Sequence, residues 1–285
     1  MTTLEYQALK AALLWHIDAG ADLALTEHPK GLLGAQEESA PAGVESVNRP
    51  ARDVVLSFSG DPPPPLGASE ARIESVKLAL AARTLDALRD SIAGFDGISI
   101  KSTATNLVFS DGHRDAPIML IGEAPGADED RIGKPFVGVS GQLLDRIFAC
   151  IGLDRAAADP LYALYISNIL NWRPPGNRTP TPAEIEVSLP LIERHIQLVK
   201  PKLLVFAGGV AAQALLGSSD SISRLRGSWH DYLPQTPELR EGVEPIPALA
   251  TYHPSYLLRT PAQKRLVWAD MLLLLEKRKS LGLCQ

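Results

Sequence analysis

An apolar run from Ile118 to Ile121 ends in Gly122-Glu123-Ala124-Pro125-Gly126, a turn-forming cluster that carries a carboxylate, and Asp128, Glu129 and Asp130 follow at once. A lone aromatic, Phe136, sits further on between Pro135 and Gly138. A buried strand that ends in a charged glycine loop puts its acids at the rim of a sheet, where α/β proteins hold their ligands. Two later segments have the same form. One runs from Tyr165 through Asn168 into Trp172-Arg173-Pro174-Pro175-Gly176-Asn177-Arg178, a turn flanked by arginines. The other ends at His253, where Pro254 turns the chain into Ser255-Tyr256-Leu257-Leu258-Arg259, an apolar tip beside a cation.

Each of these residues has an ordinary structural use. Asn168 can satisfy a strand-end backbone group, His253 can be a hydrogen-bonded packing residue, and Phe136 can be core. Their joint occurrence at strand ends points elsewhere. An aromatic face takes a planar ring. An asparagine amide offers one donor and one acceptor in a plane and can read a base edge, with roughly 1–3 kcal/mol of discrimination. Stacking contributes about 1–3 kcal/mol per base. A histidine can donate to an oxygen where charge develops on a leaving group. A carboxylate can position water and stabilise a cationic sugar. An apolar tip beside an arginine can wedge into a duplex and hold a phosphate. The combination suits excision of an extruded base.

The elements that must position these residues alternate. Apolar strand candidates at 117–122, 163–170, 202–207 and 246–252 are separated by helical patterns near 141–151, 182–199, 210–216 and 261–279, which predicts a mainly parallel sheet covered on both faces. In such a sheet the C-terminal strand ends share one edge, so Glu123, Asn168 and His253 could converge there. Thr181-Pro182-Ala183-Glu184 reads as a cap, a first-turn proline and a capping glutamate, and Thr260-Pro261-Ala262-Gln263 has the same form. Residues 69–93 read as one helix. Upstream, residues 1–34 hold a helical segment with Leu4, Leu9, Leu13, Leu14 and Ile17 at helical spacing, and 35–68 form a Pro-rich, mobile linker around Asp61-Pro62-Pro63-Pro64-Pro65. Within that linker, Val54-Val55-Leu56-Ser57-Phe58 is a short apolar patch, a docking segment or a stray run. Residues 69–285 then make up the catalytic domain.

Composition narrows the classes. Of 285 residues 45% are hydrophobic, enough for a sizeable core. The two cysteines, Cys150 and Cys284, form no CxxC pair and cannot supply a four-cysteine metal or cluster site. Cys150 lies in an apolar helical stretch and reads as a core thiol. The opening MTTLEYQALK shows no basic start followed by an apolar core, and no apolar run reaches the length of a membrane span, so a cytosolic protein away from membranes is expected; a monomer is also expected. The first 94 residues hold 8 Lys and Arg against 13 Asp and Glu, which accounts for the whole net charge of −5; the rest balance at 20 and 20. A neutral domain can still carry a basic face.

Taken together, these segments resemble the uracil-DNA glycosylase superfamily, most closely its family 4, over roughly Thr103 to Leu275. The resemblance rests on Thr103-Ala104-Thr105-Asn106, Gly122-Glu123-Ala124-Pro125-Gly126, Glu129-Asp130, Pro135-Phe136-Val137-Gly138, Gly141-Gln142-Leu143-Leu144-Asp145, Arg173-Pro174-Pro175-Gly176-Asn177 and His253-Pro254-Ser255-Tyr256-Leu257-Leu258-Arg259. It implies that Phe136 stacks on a flipped uracil, that Asn168 reads its N3/O4 edge, and that His253 faces O2 and steadies the departing anion. It implies that one of two acids, Glu123 or Glu129, positions the attacking water, with Glu123 favoured, that Glu129 stands near the pocket and helps to exclude the thymine methyl, and that Gly122 and Ala124 line the substrate site. Ser255, Tyr256, Leu257, Leu258 and Arg259 match a loop that probes the minor groove.

The family 4 pattern also implies a [4Fe–4S] cluster on four cysteines, but those positions hold Phe95, Ile98, Trp172 and Ser188. No cofactor and no metal are therefore expected, and an apolar plug around Trp172 and Ile98 is expected to brace the Arg173–Arg178 loop. No inserted basic loop precedes Thr181, so turnover rather than a covalent DNA adduct is expected.

The expectation is a three-layer α/β/α sandwich that removes uracil from DNA without cutting the backbone, with uracil-containing DNA as partner. Arg173, Arg178, Arg224, Arg226, Arg259 and Lys264 are candidate phosphate contacts. A catalytically silent DNA-binding module that keeps the pocket is the rival, and a nucleotide-binding protein of another kind ranks below it, because no phosphate-cradling Lys-Ser/Thr ending follows Gly126.

Overall fold

The computed structural model describes residues 68–283. The expected helical segment at 1–34, the Pro-rich stretch and the apolar run at 54–58 lie outside the described residues. Six strands, β1 (Asp111–Gly112), β2 (Ile118–Gly122), β3 (Tyr165–Asn168), β4 (Leu203–Ala207), β5 (Trp229–Tyr232) and β6 (Ile246–Thr251), form one sheet in the order β1-β3-β2-β4-β6-β5. The four inner strands are parallel, and β1 and β5 pair antiparallel at the two edges. The inner four are the strands that the apolar runs predict. The edge strands carry Asp111, His230 and Asp231, because a strand bordering solvent needs no continuous apolar run.

Ten helices accompany the sheet among the described residues: α1 (Ala68–Ala81), α2 (Leu85–Gly94), α3 (Ala127–Ile132), α4 (Val139–Ala149), α5 (Pro182–Val199), α6 (Gly209–Leu216), α7 (Ile222–Leu225), α8 (Pro237–Arg240), α9 (Pro254–Arg259) and α10 (Lys264–Ser280). Successive strand residues point to opposite faces. Met119, Ile121, Leu204 and Phe206 join a core with Leu88, Ile92, Leu191 and Ala212 from α2, α5 and α6. Ile118, Leu120, Leu203 and Val205 join a second core with Leu144, Phe148, Leu257 and Met271 from α4, α9 and α10. The result is the three-layer α/β/α sandwich. At about 1.5–3 kcal/mol per large buried side chain, these two cores fix the strand ends from both sides.

Local chemistry departs from expectation at three places. Residues 69–93 are two helices rather than one. Thr84 caps the second, its hydroxyl accepting from the Ala87 N–H at 3.1 Å, and the Ala82 carbonyl at the break accepts from Arg194 Nε and Nη2. At α5 the expected capping box is present: the Glu184 N–H donates to Thr181 Oγ1 at 3.3 Å and the Thr181 N–H to Glu184 Oε2 at 2.7 Å. The similar sequence at Thr260 makes no side-chain cap; Pro261–Gln263 is a single 3-10 turn and α10 starts after it. Cys150, expected in the core, is exposed at the end of α4, with its thiol donating to the Arg146 carbonyl at 3.2 Å.

Candidate active site

Glu123 directly follows β2, Asn168 ends β3, and His253 lies two residues past β6, so the parallel sheet delivers all three to one edge. They line a single cavity of about 460 Å³ together with Ala124, Glu129, Phe136, Arg178, Ser255, Tyr256 and Arg259. Pro125, Gly126, Ser140, Pro174 and Asn177 complete its wall. The cavity sits beside β2, where the chain order reverses direction across the sheet, the usual ligand position in doubly wound folds.

The floor is built by close approach. Gly122 has no side chain because a Cβ there would lie 2.4 Å from Asn168 Oδ1 and 2.6 Å from Phe136 Cζ. Asn168 is 2% exposed and its Oδ1 has no hydrogen-bond partner in the protein, so the amide edge is left for a ligand. Phe136 is held at a left-handed φ of 53°, a conformation that a bulky residue keeps only when its surroundings impose it. A Cβ at Gly141 would fall 1.9 Å from the Phe136 carbonyl oxygen, so the first turn of α4 can close over that residue only with glycine there.

The constraint on Phe136 comes largely from Glu129. This buried carboxylate accepts the Val137 and Gly138 N–H groups on Oε1 at 2.9 and 3.0 Å, and the Gly126 N–H on Oε2 at 3.1 Å. It thereby ties the loop that carries Glu123 to the loop that carries Phe136. Its neighbour Asp130, also buried, accepts the Thr105 and Asn106 N–H groups at 2.8 and 3.0 Å, and Asn106 Nδ2 donates back to the Asp130 carbonyl. Two adjacent acids thus pin three loops, which is why Glu129-Asp130 and Thr103–Asn106 occur together.

The charged groups differ in state. His253 Nδ1 accepts the Ser255 N–H at 3.2 Å, which leaves the proton of the neutral ring on Nε2. Burial, aided by Arg259, lowers the His253 pKa to about 4 against a smaller opposing pull from Glu129. The ring is therefore neutral at pH 7. Its centroid lies 5.4 Å from that of Phe136. Gly208, at φ 102°, allows β4 to end against His253, where a Cβ would approach its Cβ to 3.1 Å. Burial raises the Glu123 pKa above the ordinary carboxylate value.

The expected DNA-contacting residues divide. Ser255, Tyr256, Arg178 and Arg259 border the cavity, and Leu258 is 43% exposed. Leu257 is fully buried in the core under α9, so its side chain supports the loop instead of reaching a duplex. Arg173 is partly buried and donates to Asn177 Oδ1 at 2.7 Å. Arg178 forms a two-point ion pair with Glu184, at 2.6 and 2.9 Å. Arg224 is exposed beside Asp220. Arg226 is turned inward: it pairs with the fully buried Asp270, donates to the Leu266 carbonyl and covers the Tyr252 ring. Asp270 also accepts from Thr251 Oγ1, so this group fastens the end of β6 to α10 just before His253. Sequence reasoning missed Ser140 and Gly208, whose lone signals are a hydroxyl in the first turn of a helix and a glycine after an apolar run.

A sheet of this order, with Phe136, Asn168 and His253 lining one cavity at the ends of its parallel strands, defines a doubly wound α/β protein. The family model for the uracil DNA glycosylase superfamily matches residues 109–272, and the chain belongs to that superfamily. It is 35% identical over 182 residues to a type-4 uracil-DNA glycosylase of Archaeoglobus fulgidus, covering 62% of this chain and 85% of the relative. Proteins of the same name from Thermotoga maritima and Pyrobaculum aerophilum are 36% and 33% identical, each over 62% of this chain and 83% and 86% of their own length.

The residues at the expected cluster positions do not fit an iron–sulfur cluster. Phe95, Ile98 and Trp172 have no thiolate to offer, and Ser188 carries only a hydroxyl. Among the described residues no group of three or more His, Cys, Asp or Glu is placed to hold a metal ion. No helix among them is long and apolar enough to cross a membrane.

Proposed function

We propose that the protein is a monofunctional glycosylase that hydrolyses the N-glycosidic bond of uracil in DNA and so starts base-excision repair. The observation that carries this reading is the convergence of Glu123, Phe136, Asn168 and His253 on one cavity. An extruded uracil stacks on Phe136. Asn168 accepts from N3–H and donates to O4, a pattern that cytosine reverses. The C1′–N1 bond lengthens, the pair of electrons stays on the base, and His253 Nε2–H donates to O2 as negative charge gathers there. Ionised Glu123 holds a water against C1′; the water oxygen bonds to carbon, and its lost proton passes to the carboxylate or solvent. The uracil anion takes up a proton from solvent, and the products are free uracil and an abasic site.

A time course on a uracil-containing oligonucleotide, read by alkaline cleavage, tests this. Abasic product that accumulates beyond one equivalent is expected; binding without product would leave a silent DNA-binding module. Two further outcomes follow from the site. Glu123 must be ionised to hold water and its pKa is raised, whereas His253 titrates at about 4. On acidification the first loss of kcat/KM therefore belongs to Glu123, and Glu123→Gln is expected to remove that limb from the pH profile while lowering the plateau by roughly 10²-fold. Gly122→Ala places a methyl group between Asn168 and Phe136. We expect at least a tenfold rise in KM, on the order of 1.4 kcal/mol of lost binding, and weaker inhibition by free uracil.

A further inference from the structure

We propose that Trp172 is a positioning residue: its buried indole, packed with Phe95 and Ile98 where the resemblance implies a cluster, fixes the Arg173–Arg178 loop against the cavity. The inference rests on the reading of the cavity as a uracil site. Residues 95 and 98 lie on one segment and 172 and 188 on two others, yet all four are buried, and Phe95, Ile98 and Trp172 share one apolar cluster with Val187 and Leu191 of α5. The packing is specific. Phe95 ends α2 and folds back over Gly97, where a Cβ would sit 2.3 Å from Phe95 Cζ. Lys101 closes the outside: its Nζ reaches Asp96 at 2.6 Å and the Phe95 carbonyl at 3.2 Å, and lies 5.9 Å from the centre of the Trp172 ring.

On the other side, Asn171 is locked to Val108 by two bonds, Asn171 Nδ2 to the Val108 carbonyl at 3.0 Å and the Val108 N–H to the Asn171 carbonyl at 2.9 Å. Trp172 is the next residue, and the loop that leaves it supplies Pro174, Asn177 and Arg178 to the cavity wall. The polar contacts within that loop are local, Arg173 to Asn177 and Arg178 to Glu184. The Trp172 ring, with Lys101 Nζ over it, links the loop to the 95–101 segment. An apolar contact does here what a ligated metal would do by coordination, so loop placement does not depend on iron or on redox state.

Two measurements test this. Iron is assayed on protein purified anaerobically from iron-replete cells; background iron is expected, and stoichiometric iron would overturn the proposal. Uracil excision from duplex DNA is then measured for the parent, Trp172→Ala and Trp172→Phe. Trp172→Ala is expected to raise KM for DNA roughly tenfold with kcat within about twofold and inhibition by free uracil unchanged, because the base pocket is intact. Trp172→Phe is expected to recover most of the KM. An unchanged KM, or equal loss of kcat and of uracil inhibition, would overturn the role. If Trp172→Ala does not fold, Ile98→Ala and Lys101→Ala take its place with the same expected split. A parent protein that makes no abasic sites would defeat the functional reading itself, whereas an active parent with an indifferent Trp172 would defeat only this inference.

Discussion

Replacing His253 with alanine is expected to lower kcat for uracil excision by about 10²–10³-fold with little change in KM, the loss that follows removal of one donor aimed at a developing anion. The site makes a donor of this kind from a neutral ring. The Ser255 N–H occupies Nδ1, and burial keeps the imidazole unprotonated down to about pH 4. A neutral N–H donates without placing a full positive charge in a buried site, and it needs no proton transfer to the base before the bond breaks. His253→Asn keeps a donor but loses its reach, so an intermediate rate is expected. Single-turnover kinetics separate the chemical step from product release; an unchanged single-turnover rate in His253→Ala would remove this residue from the chemistry.

The second large effect belongs to a residue that does no chemistry. Glu129→Ala is expected to destabilise the protein and to reduce kcat/KM by roughly five- to 150-fold, the equivalent of the 1–3 kcal/mol that base stacking supplies. Three backbone N–H groups converge on that carboxylate. Each donor left without a partner costs about 1–3 kcal/mol where water does not replace the lost oxygen. The strained backbone at Phe136 then loses its restraint and can relax toward negative φ, swinging the ring off the base. Glu129→Gln separates the two causes. Its Oε1 can still hold Val137 and Gly138, while its amide N–H₂ meets the Gly126 N–H donor to donor, so stability is expected to fall more than stacking does. Chemical denaturation beside steady-state kinetics on the same preparations checks both. Unaltered stability in Glu129→Ala would mean that the clamp is idle.

Much of this site was legible in residues 117–122, 163–170 and 246–252, because an apolar run that ends in a polar turn leaves few other ways to fold. The parallel order then brings Glu123, Asn168 and His253 together whatever the intervening helices do. What stayed hidden depends on partners that no local pattern reveals. Arg226 looks like any surface arginine until Asp270 from α10 meets it. Leu257 and Leu258 are adjacent and alike in sequence, yet α9 buries the first and exposes the second. The break at Ala82 follows from an arginine more than a hundred residues away that claims its carbonyl. Glu129 reads as a pocket acid, and only the folded loops show its oxygens already taken. Cys150 lies in an apolar stretch, but its helix turns it outward.

On the proposed reading, the Arg178–Glu184 pair bears on how the protein releases DNA. The guanidinium fork is already filled by two carboxylate oxygens, and Glu184 stays anchored at the Thr181 cap when the fork leaves it. On the proposed reading, a DNA phosphate that reaches Arg178 would first have to displace this resident carboxylate. The exchange brings little net attraction toward an arbitrary stretch of duplex. The same carboxylate stands ready to reclaim the arginine on departure, which favours brief visits to many sites over long residence at one.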